Sequence, residues 1–342
     1  MPLVQTGTVR VEWPFVARRQ WPLDELTAGV RGGDRRALAR AISLVENGDP
    51  ESYPLIRALY GDTGRAAVIG VTGPPGVGKS SLLAALVTHL RARGSTVGVV
   101  SVDPSSPFSH GALLGDRIRL ADHFTDPGVY IRSMGSRGHL GGIAESTLQA
   151  VLLLDAFGRD VIFVETVGAG QSDVEVAGIA DTVLLVLMPG SGDSVQALKA
   201  GIMEIPDVIA INKMDHPAAK TMLNEVRSIV RLSEPDRRPP ILLTDALRGE
   251  NVAELWEKLE EHRADLERDG MLEERRRRNL AAEVFAVAST RAVRHLEEAV
   301  AGDPELRRLL DAVLRRELDP LTAVREIMEK VFRLHDDGAE PR

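Results

Sequence analysis

Near-continuous apolar runs alternate along the middle of the chain with stretches whose apolar residues recur at helical spacing. The runs AAVIGVT (66–72), TVGVVSV (96–102), VIFVE (161–165), TVLLVLM (182–188), DVIAIN (207–212) and ILLT (241–244) have too few polar positions for half-exposed strands. They read as strands buried on both faces. Segments 80–94, 143–157, 193–204 and 216–230 between them read as helices. Strand alternating with helix predicts an α/β domain with a mostly parallel sheet covered on both sides. Phe163 and the Val, Ile and Leu stripes of the strands are core positions.

The flanks differ from this middle. Residues 22–62 read as helices: Asp34 is placed to cap a helix carrying Leu38, Ala41, Ile42 and Val45, and Asn47-Gly48 supplies its stop. The turn from Gly61 to Gly64 then leads into the first strand. After about 265 the strands end, and Asp303-Pro304 and Asp319-Pro320 each pair an N-cap with proline at the first helical position. Leu306, Leu309, Leu310 and Val313, then Val324, Ile327, Met328 and Val331, form apolar stripes. The expected division is an N-terminal helical extension (1–62), an α/β domain (63–265) and a C-terminal helical arm (266–342). The arm's stripes need a cover, which a second copy of the chain would give in a homodimer. The run Arg275–Arg278 reads as a solvated helix face.

Composition narrows the function. The chain has 342 residues, 44% hydrophobic and 27% charged, with a net charge of −8. The acidic excess argues against a sequence-independent nucleic-acid binder. There is no cysteine, so disulfides and thiolate metal sites are excluded. No apolar run approaches the roughly 20 residues of a membrane span. Residues Arg10, Arg18 and Arg19 against Glu12 would also suit a short organelle presequence, but the expected location is the cytoplasm.

Gly73-Pro-Pro-Gly-Val-Gly-Lys79-Ser80 is a complete G-x-x-x-x-G-K-[ST] phosphate loop between a buried strand and a helix. Gly73, Pro75, Gly76, Val77 and Gly78 would turn backbone N–H groups toward phosphate oxygens. Lys79 would reach the β- and γ-phosphates, the Ser80 hydroxyl would ligate Mg²⁺, and the N-terminus around Ser80 and Ser81 adds the helix dipole. Asn212-Lys213-Met214-Asp215 follows a later apolar strand. A carboxylate at Asp215 can accept the N1–H and N2–H₂ donors of guanine, a pair that adenine lacks. Ala246 and Leu247 fall where such proteins place a Ser-Ala loop whose Ala amide touches guanine O6, although Asp245 stands where Ser is usual. Glu165 ends a buried strand and, with Gly168, fills the slot for an acid near Mg²⁺ and a glycine that senses the γ-phosphate. The chemistry expected is Mg²⁺-dependent binding and hydrolysis of GTP, leaving GDP.

On these residues the chain resembles the methylmalonyl-CoA-mutase-associated GTPases (the MeaB/ArgK/MMAA family). The marks that carry the resemblance are SVDPSSPFSHGALLGDRIR (101–119), IRSMGSRGHLGGI (131–143), ETVGAGQSD (165–173) and MPGSGDSVQALKAGIMEI (188–205). The resemblance implies a metal shell of Ser80, Asp103, Asp116 and Glu165. It also implies a third switch in loop 188–200, whose Asp193 and Lys199 swing toward the phosphates when a partner enzyme docks. Gln171, three residues after the switch glycine, is a candidate to position water. The implied function is a GTP-dependent chaperone of an adenosylcobalamin-dependent acyl-CoA mutase, gating cofactor loading and removal of damaged cofactor. No D-x-H-x-x-G motif is present, so no direct cobalamin site is expected on this chain.

Two other readings compete. A nickel-insertion GTPase shares the acid-ended strands but needs soft or imidazole ligands at the switch; this chain has no Cys, and its eight His are scattered. An ATP-using kinase serving a transport system is opposed by Asp215.

Overall fold

The structure is a computed structural model and describes residues 21–104, 120–136, 142–166, 178–190, 206–232, 234 and 238–332. Within these, Asp103, Pro104, Ser136, residues 142–144, Glu283 and Thr290 are described by backbone alone.

Seven strands form one sheet in the order β3-β2-β4-β1-β5-β6-β7. They are β1 (Ala67–Thr72), β2 (Val97–Pro104), β3 (Val129–Ser136), β4 (Val161–Thr166), β5 (Thr182–Leu187), β6 (Val208–Ile211) and β7 (Ile241–Leu243). Every pairing is parallel. The chain thus has the α/β, P-loop GTPase architecture that its pattern predicts, with helical extensions at both ends. Six of the strands match the apolar runs. The seventh, β3, lies at the sheet edge and escapes that pattern because VYIRSMGS mixes buried Val129, Tyr130 and Met134 with half-buried Arg132. Arg132 is no stray polar residue: its guanidinium pairs with Glu46 on the helix above.

Side chains alternate across the sheet, as the period of two requires. Val68, Val100, Val102, Ile162 and Val164 face one cluster built with α1 (Leu23–Arg31), α2 (Arg35–Glu46), α3 (Ser52–Leu59) and α5 (Gly142–Ala156). Ala67, Ile69, Val71, Val99, Val161 and Phe163 face the other, with α4 (Lys79–Ala92) and α7 (Val252–Arg268). The remaining β5–β7 surface packs on α6 (Ala219–Val230). Asp34 caps α2 through the Arg36 N–H, and the helix ends at Asn47-Gly48 as its sequence foretells. Gly29 of α1 is obligatory, since a Cβ there would lie 2.6 Å from the Ala37 Cβ of α2.

An aspartate immediately precedes three strands and caps the neighbouring one. Asp160 Oδ2 accepts the Thr96 N–H ahead of β2, Asp181 Oδ2 accepts the Val68 N–H of β1, and Asp207 Oδ2 accepts the Val183 N–H of β5. Parallel strands leave N–H groups unpaired at this end of the sheet, and the carboxylates satisfy them.

The C-terminal arm is α8 (Met271–Gly302), α9 (Pro304–Leu314) and α10 (Pro320–Phe332). Asp303 caps α9 through Glu305 N–H, and Asp319 accepts the Leu321 and Thr322 N–H groups at the start of α10. The run at 275–278 is not a solvated face throughout. Arg276 forks onto Asp181 with two contacts of 2.7 Å and also donates to the carbonyls of Gly64 and Ala66. Arg275 forks onto Asp207 at 3.0 and 2.7 Å. Arg277 and Arg278 are exposed as expected. The two strand-capping aspartates therefore also anchor the arm, at the sheet end opposite the phosphate loop. None of the described helices is long and apolar enough to cross a membrane.

Candidate nucleotide site

The site lies at the C-terminal ends of the strands, where parallel α/β sheets place their ligands. β1 runs into the phosphate loop, which closes on α4 through Gly78 at φ +93°. Two of its glycines are required by contact. A Cβ on Gly73 would sit 2.1 Å from the Val186 carbonyl oxygen of β5, and one on Gly78 would sit 2.5 Å from Asn212 Nδ2. Pro75 and Gly76 are exposed at the rim, while Val77 is buried in the core beneath α4. The N-terminus of α4, around Ser80 and Ser81, turns its first N–H groups and its dipole toward the loop, the arrangement that suits an anion.

Lys79 is 6% exposed, and its ammonium donates to the carbonyls of Gly73 (2.6 Å) and Pro74 (3.0 Å). The cation is thus held over the loop, where phosphate oxygens would meet it. The Ser80 hydroxyl donates to Glu165 Oε1 at 2.7 Å, and Ser101 of β2 donates to Oε2 at 3.3 Å. All three side chains are buried. Sequence reading did not single out Ser101, although it is the one polar side chain in VGVVSV (97–102). Register explains the meeting: Ser101 pairs with Glu165 across β2 and β4. Asp103 lies further along β2, its Cα opposite Gly135. Asp116, Gly168, Gln171, Asp193 and Lys199 lie outside the described residues.

A buried amide ties the base side to the phosphate side. Asn212 is 2% exposed; its Nδ2 donates to the Val77 carbonyl at 3.0 Å and its Oδ1 accepts the Ala246 N–H at 3.1 Å. A carbonyl on one side and an N–H on the other fix the orientation of the amide. Asn212 therefore joins the two loops. The Ala246 amide, expected to meet guanine O6, donates to Asn212 in this structure. Lys213, at φ +58°, sends its ammonium to the Gly76 carbonyl (3.3 Å) and lies across the phosphate loop. Asp215 stands half-exposed with Arg248 Nη1 at 3.7 Å. Leu247 is 89% exposed at the rim.

Asp245 departs from the usual Ser, and the structure gives the reason it is tolerated. Its Oδ1 accepts the Leu247 and Arg248 N–H groups at 2.9 and 3.1 Å, so the carboxylate closes the turn itself.

The chain matches a known family in sequence. The profile described as "Methylmalonyl Co-A mutase-associated GTPase MeaB" matches residues 38–301. A protein of Pyrococcus horikoshii, provisionally named a GTPase, is 45% identical over 315 residues, spanning 91% of this chain and 98% of that protein. GTPase ArgK of Escherichia coli is 34% identical over 317 residues, 90% of this chain and 96% of that protein. Among solved structures, a LAO/AO transport system kinase is similar with a TM-score of 0.69 and 28% identity, covering 91% of this chain and 97% of that one. The complete phosphate loop, the guanine motif joined to it by Asn212, and the match over most of the length lead to one conclusion: the chain is a GTPase and belongs to the methylmalonyl-CoA mutase-associated GTPase (MeaB) family.

Proposed function

We propose that this GTPase serves as a chaperone of an adenosylcobalamin-dependent acyl-CoA mutase, with GTP hydrolysis gating the loading and replacement of the mutase's cofactor. The observation that carries the reading is the family match over residues 38–301, which spans the phosphate loop, the guanine motif and the segment MPGSGDSVQALKAGIMEI. The family description names a mutase, and a Mus musculus relative, 33% identical over 274 residues, is named as a methylmalonic aciduria type A homolog. The similar solved structure is named a kinase, but Asp215 favours guanine over adenine and so a GTPase over an ATP-using kinase.

In this reading the nucleotide lies along Gly73–Ser81, with its base between Lys213, Asp215 and the Ala246-Leu247 loop. The buried oxygens of Ser80 and Glu165 are the hard donors that suit Mg²⁺, with Asp103 and Asp116 completing the shell. When bound, the ion neutralises charge on the β- and γ-phosphate oxygens. Lys79 stabilises the charge that develops on the transferring phosphoryl group, and Gln171 orients the attacking water. Asp193 and Lys199 complete the site when the mutase docks on loop 188–200. We read 1–62, 63–265 and 266–342 as the structural units of a cytoplasmic homodimer. Val284, Phe285, Leu314, Leu321 and Val324 of the arm are exposed, and a second arm is the cover they fit.

The test is GTP turnover with and without an adenosylcobalamin-dependent acyl-CoA mutase, for wild type and Lys199→Ala. The proposal expects the mutase to accelerate wild type and to lose most of that effect on the variant. Equal stimulation of both would remove Lys199 from the mechanism, and no stimulation of wild type would remove the partner.

A further inference from the structure

The base-reading carboxylate is not alone on its ledge. Asp245, 5% exposed, is the residue that stands where a serine is usual. A serine hydroxyl could donate a hydrogen bond to a neighbouring carboxylate, whereas an ionised aspartate can only accept. Bringing a second carboxylate to this loop would by itself push Asp215 away, because like charges repel. The structure supplies a cation between the two. Arg248 Nη1 lies 3.2 Å from Asp245 Oδ2 and 3.7 Å from Asp215 Oδ2. Asp245 also fixes the backbone of Arg248 by accepting its N–H at 3.1 Å. Arg248 is therefore held at its backbone N–H and at Nη1 by a buried, well-bonded acid, and the same Nη1 is presented to the exposed one.

We infer that Arg248, anchored by Asp245, is a specificity-determining positioning residue for guanine: it holds the Asp215 carboxylate in the orientation that accepts N1–H and N2–H₂. The inference rests on the reading of Asp215 as the guanine reader. It is compatible with an occupied site, since a carboxylate offers about four lone-pair positions. Guanine's two donors take one position on each oxygen, and Arg248, at 3.7 Å from Oδ2, acts on the carboxylate through its charge and leaves those positions open. The pairing of the Asp with the Arg three residues later does together what a serine would do alone.

The experiment compares GDP with IDP, which keeps O6 and N1–H but lacks the 2-amino group. Affinities for both would be measured by calorimetry with wild type, Asp215→Asn, Arg248→Ala, Arg248→Lys and the Asp215→Asn/Arg248→Ala double variant. Arg248 is exposed, so its variants should melt with the wild type, and a melting curve checks this. Wild type should prefer GDP, Arg248→Ala should lose roughly fivefold of that preference, and Arg248→Lys should restore part of it. In the Asp215→Asn background, Arg248→Ala should change the preference no further. Equal weakening of GDP and IDP by Arg248→Ala would show that the arginine only shapes the loop, and would overturn the inference. So would an unchanged preference, or tighter GDP binding from relief of competition for Asp215. If Asp215→Asn itself kept the wild-type preference, the assignment of Asp215 as the base reader would fail first, and this inference with it.

Discussion

Replacing Arg276 by alanine should be among the most destabilising single changes outside the sheet core. Asp181 is 3% exposed, and Arg276 bonds both of its oxygens at 2.7 Å. The same guanidinium satisfies the carbonyls of Gly64 and Ala66. Its removal leaves a buried carboxylate held by the Val68 N–H and leaves two carbonyls short of a donor. Breaking one side of a buried pair costs about 3–5 kcal/mol. Arg268, which pairs with exposed Asp265 at 2.7 Å, is the internal control, and its loss should leave the unfolding midpoint nearly unchanged. Equilibrium unfolding in urea at neutral pH measures both, provided the denaturant slope is unchanged. A double replacement, Asp181→Leu with Arg276→Met, should recover most of the loss, because two apolar groups leave no unpaired charge. A cost for Arg276→Ala below about 1 kcal/mol would refute the reasoning, since Arg276 would then be no more than a surface arginine.

Two further outcomes are expected. Gly73→Ala should destabilise the chain by more than Gly76→Ala: both have positive φ, +140° and +77°, but only at Gly73 would a Cβ meet backbone, 2.1 Å from Val186 O. The left-handed conformation alone costs about 1–2 kcal/mol at Gly76, and thermal melts showing the reverse order would count against the contact. The second concerns acid. Burial works to raise the pKa of Asp207, but its hydrogen bonds to His262 and Arg275 outweigh burial and hold it below the ordinary carboxylate value. An acid depressed in the folded state contributes stability above its unfolded pKa of about 3.9, and that contribution is lost as pH falls through the folded value. Asp207→Asn should therefore lower stability at neutral pH and flatten the loss below about pH 4. An unchanged acid limb in the variant would show that Asp207 does not carry it.

The sheet and the phosphate loop were legible because both are local signals. Buried parallel strands announce themselves as apolar runs, and GPPGVGKS places its glycines and lysine within one turn of chain. What escaped was set by partners distant in sequence. Arg132 makes β3 look too polar for a strand until Glu46 is brought beside it. Arg275 and Arg276 read as a solvated run because charge patterning sees only neighbours along the helix, while their partners, Asp207 and Asp181, arrive from the starts of β6 and β5. One signal was present and general: RDVIFVE, ADTVLLV and PDVIAIN each put an aspartate directly before a strand, where it caps the adjacent strand's N–H. Asn212 shows the same limit within the site. The motif names it, but only the fold reveals that it clasps Val77 to Ala246.

The central claim is that Lys79 and Asp215 belong to one site that hydrolyses GTP in preference to ATP. Phosphate release measured under single-turnover conditions, with GTP and with ATP, for wild type and Lys79→Ala, tests it directly. The account predicts release from GTP by wild type, little from ATP, and loss of the GTP reaction in Lys79→Ala, because the ammonium that faces the developing charge is gone. Comparable turnover of ATP, or hydrolysis of GTP by Lys79→Ala near the wild-type rate, would contradict it.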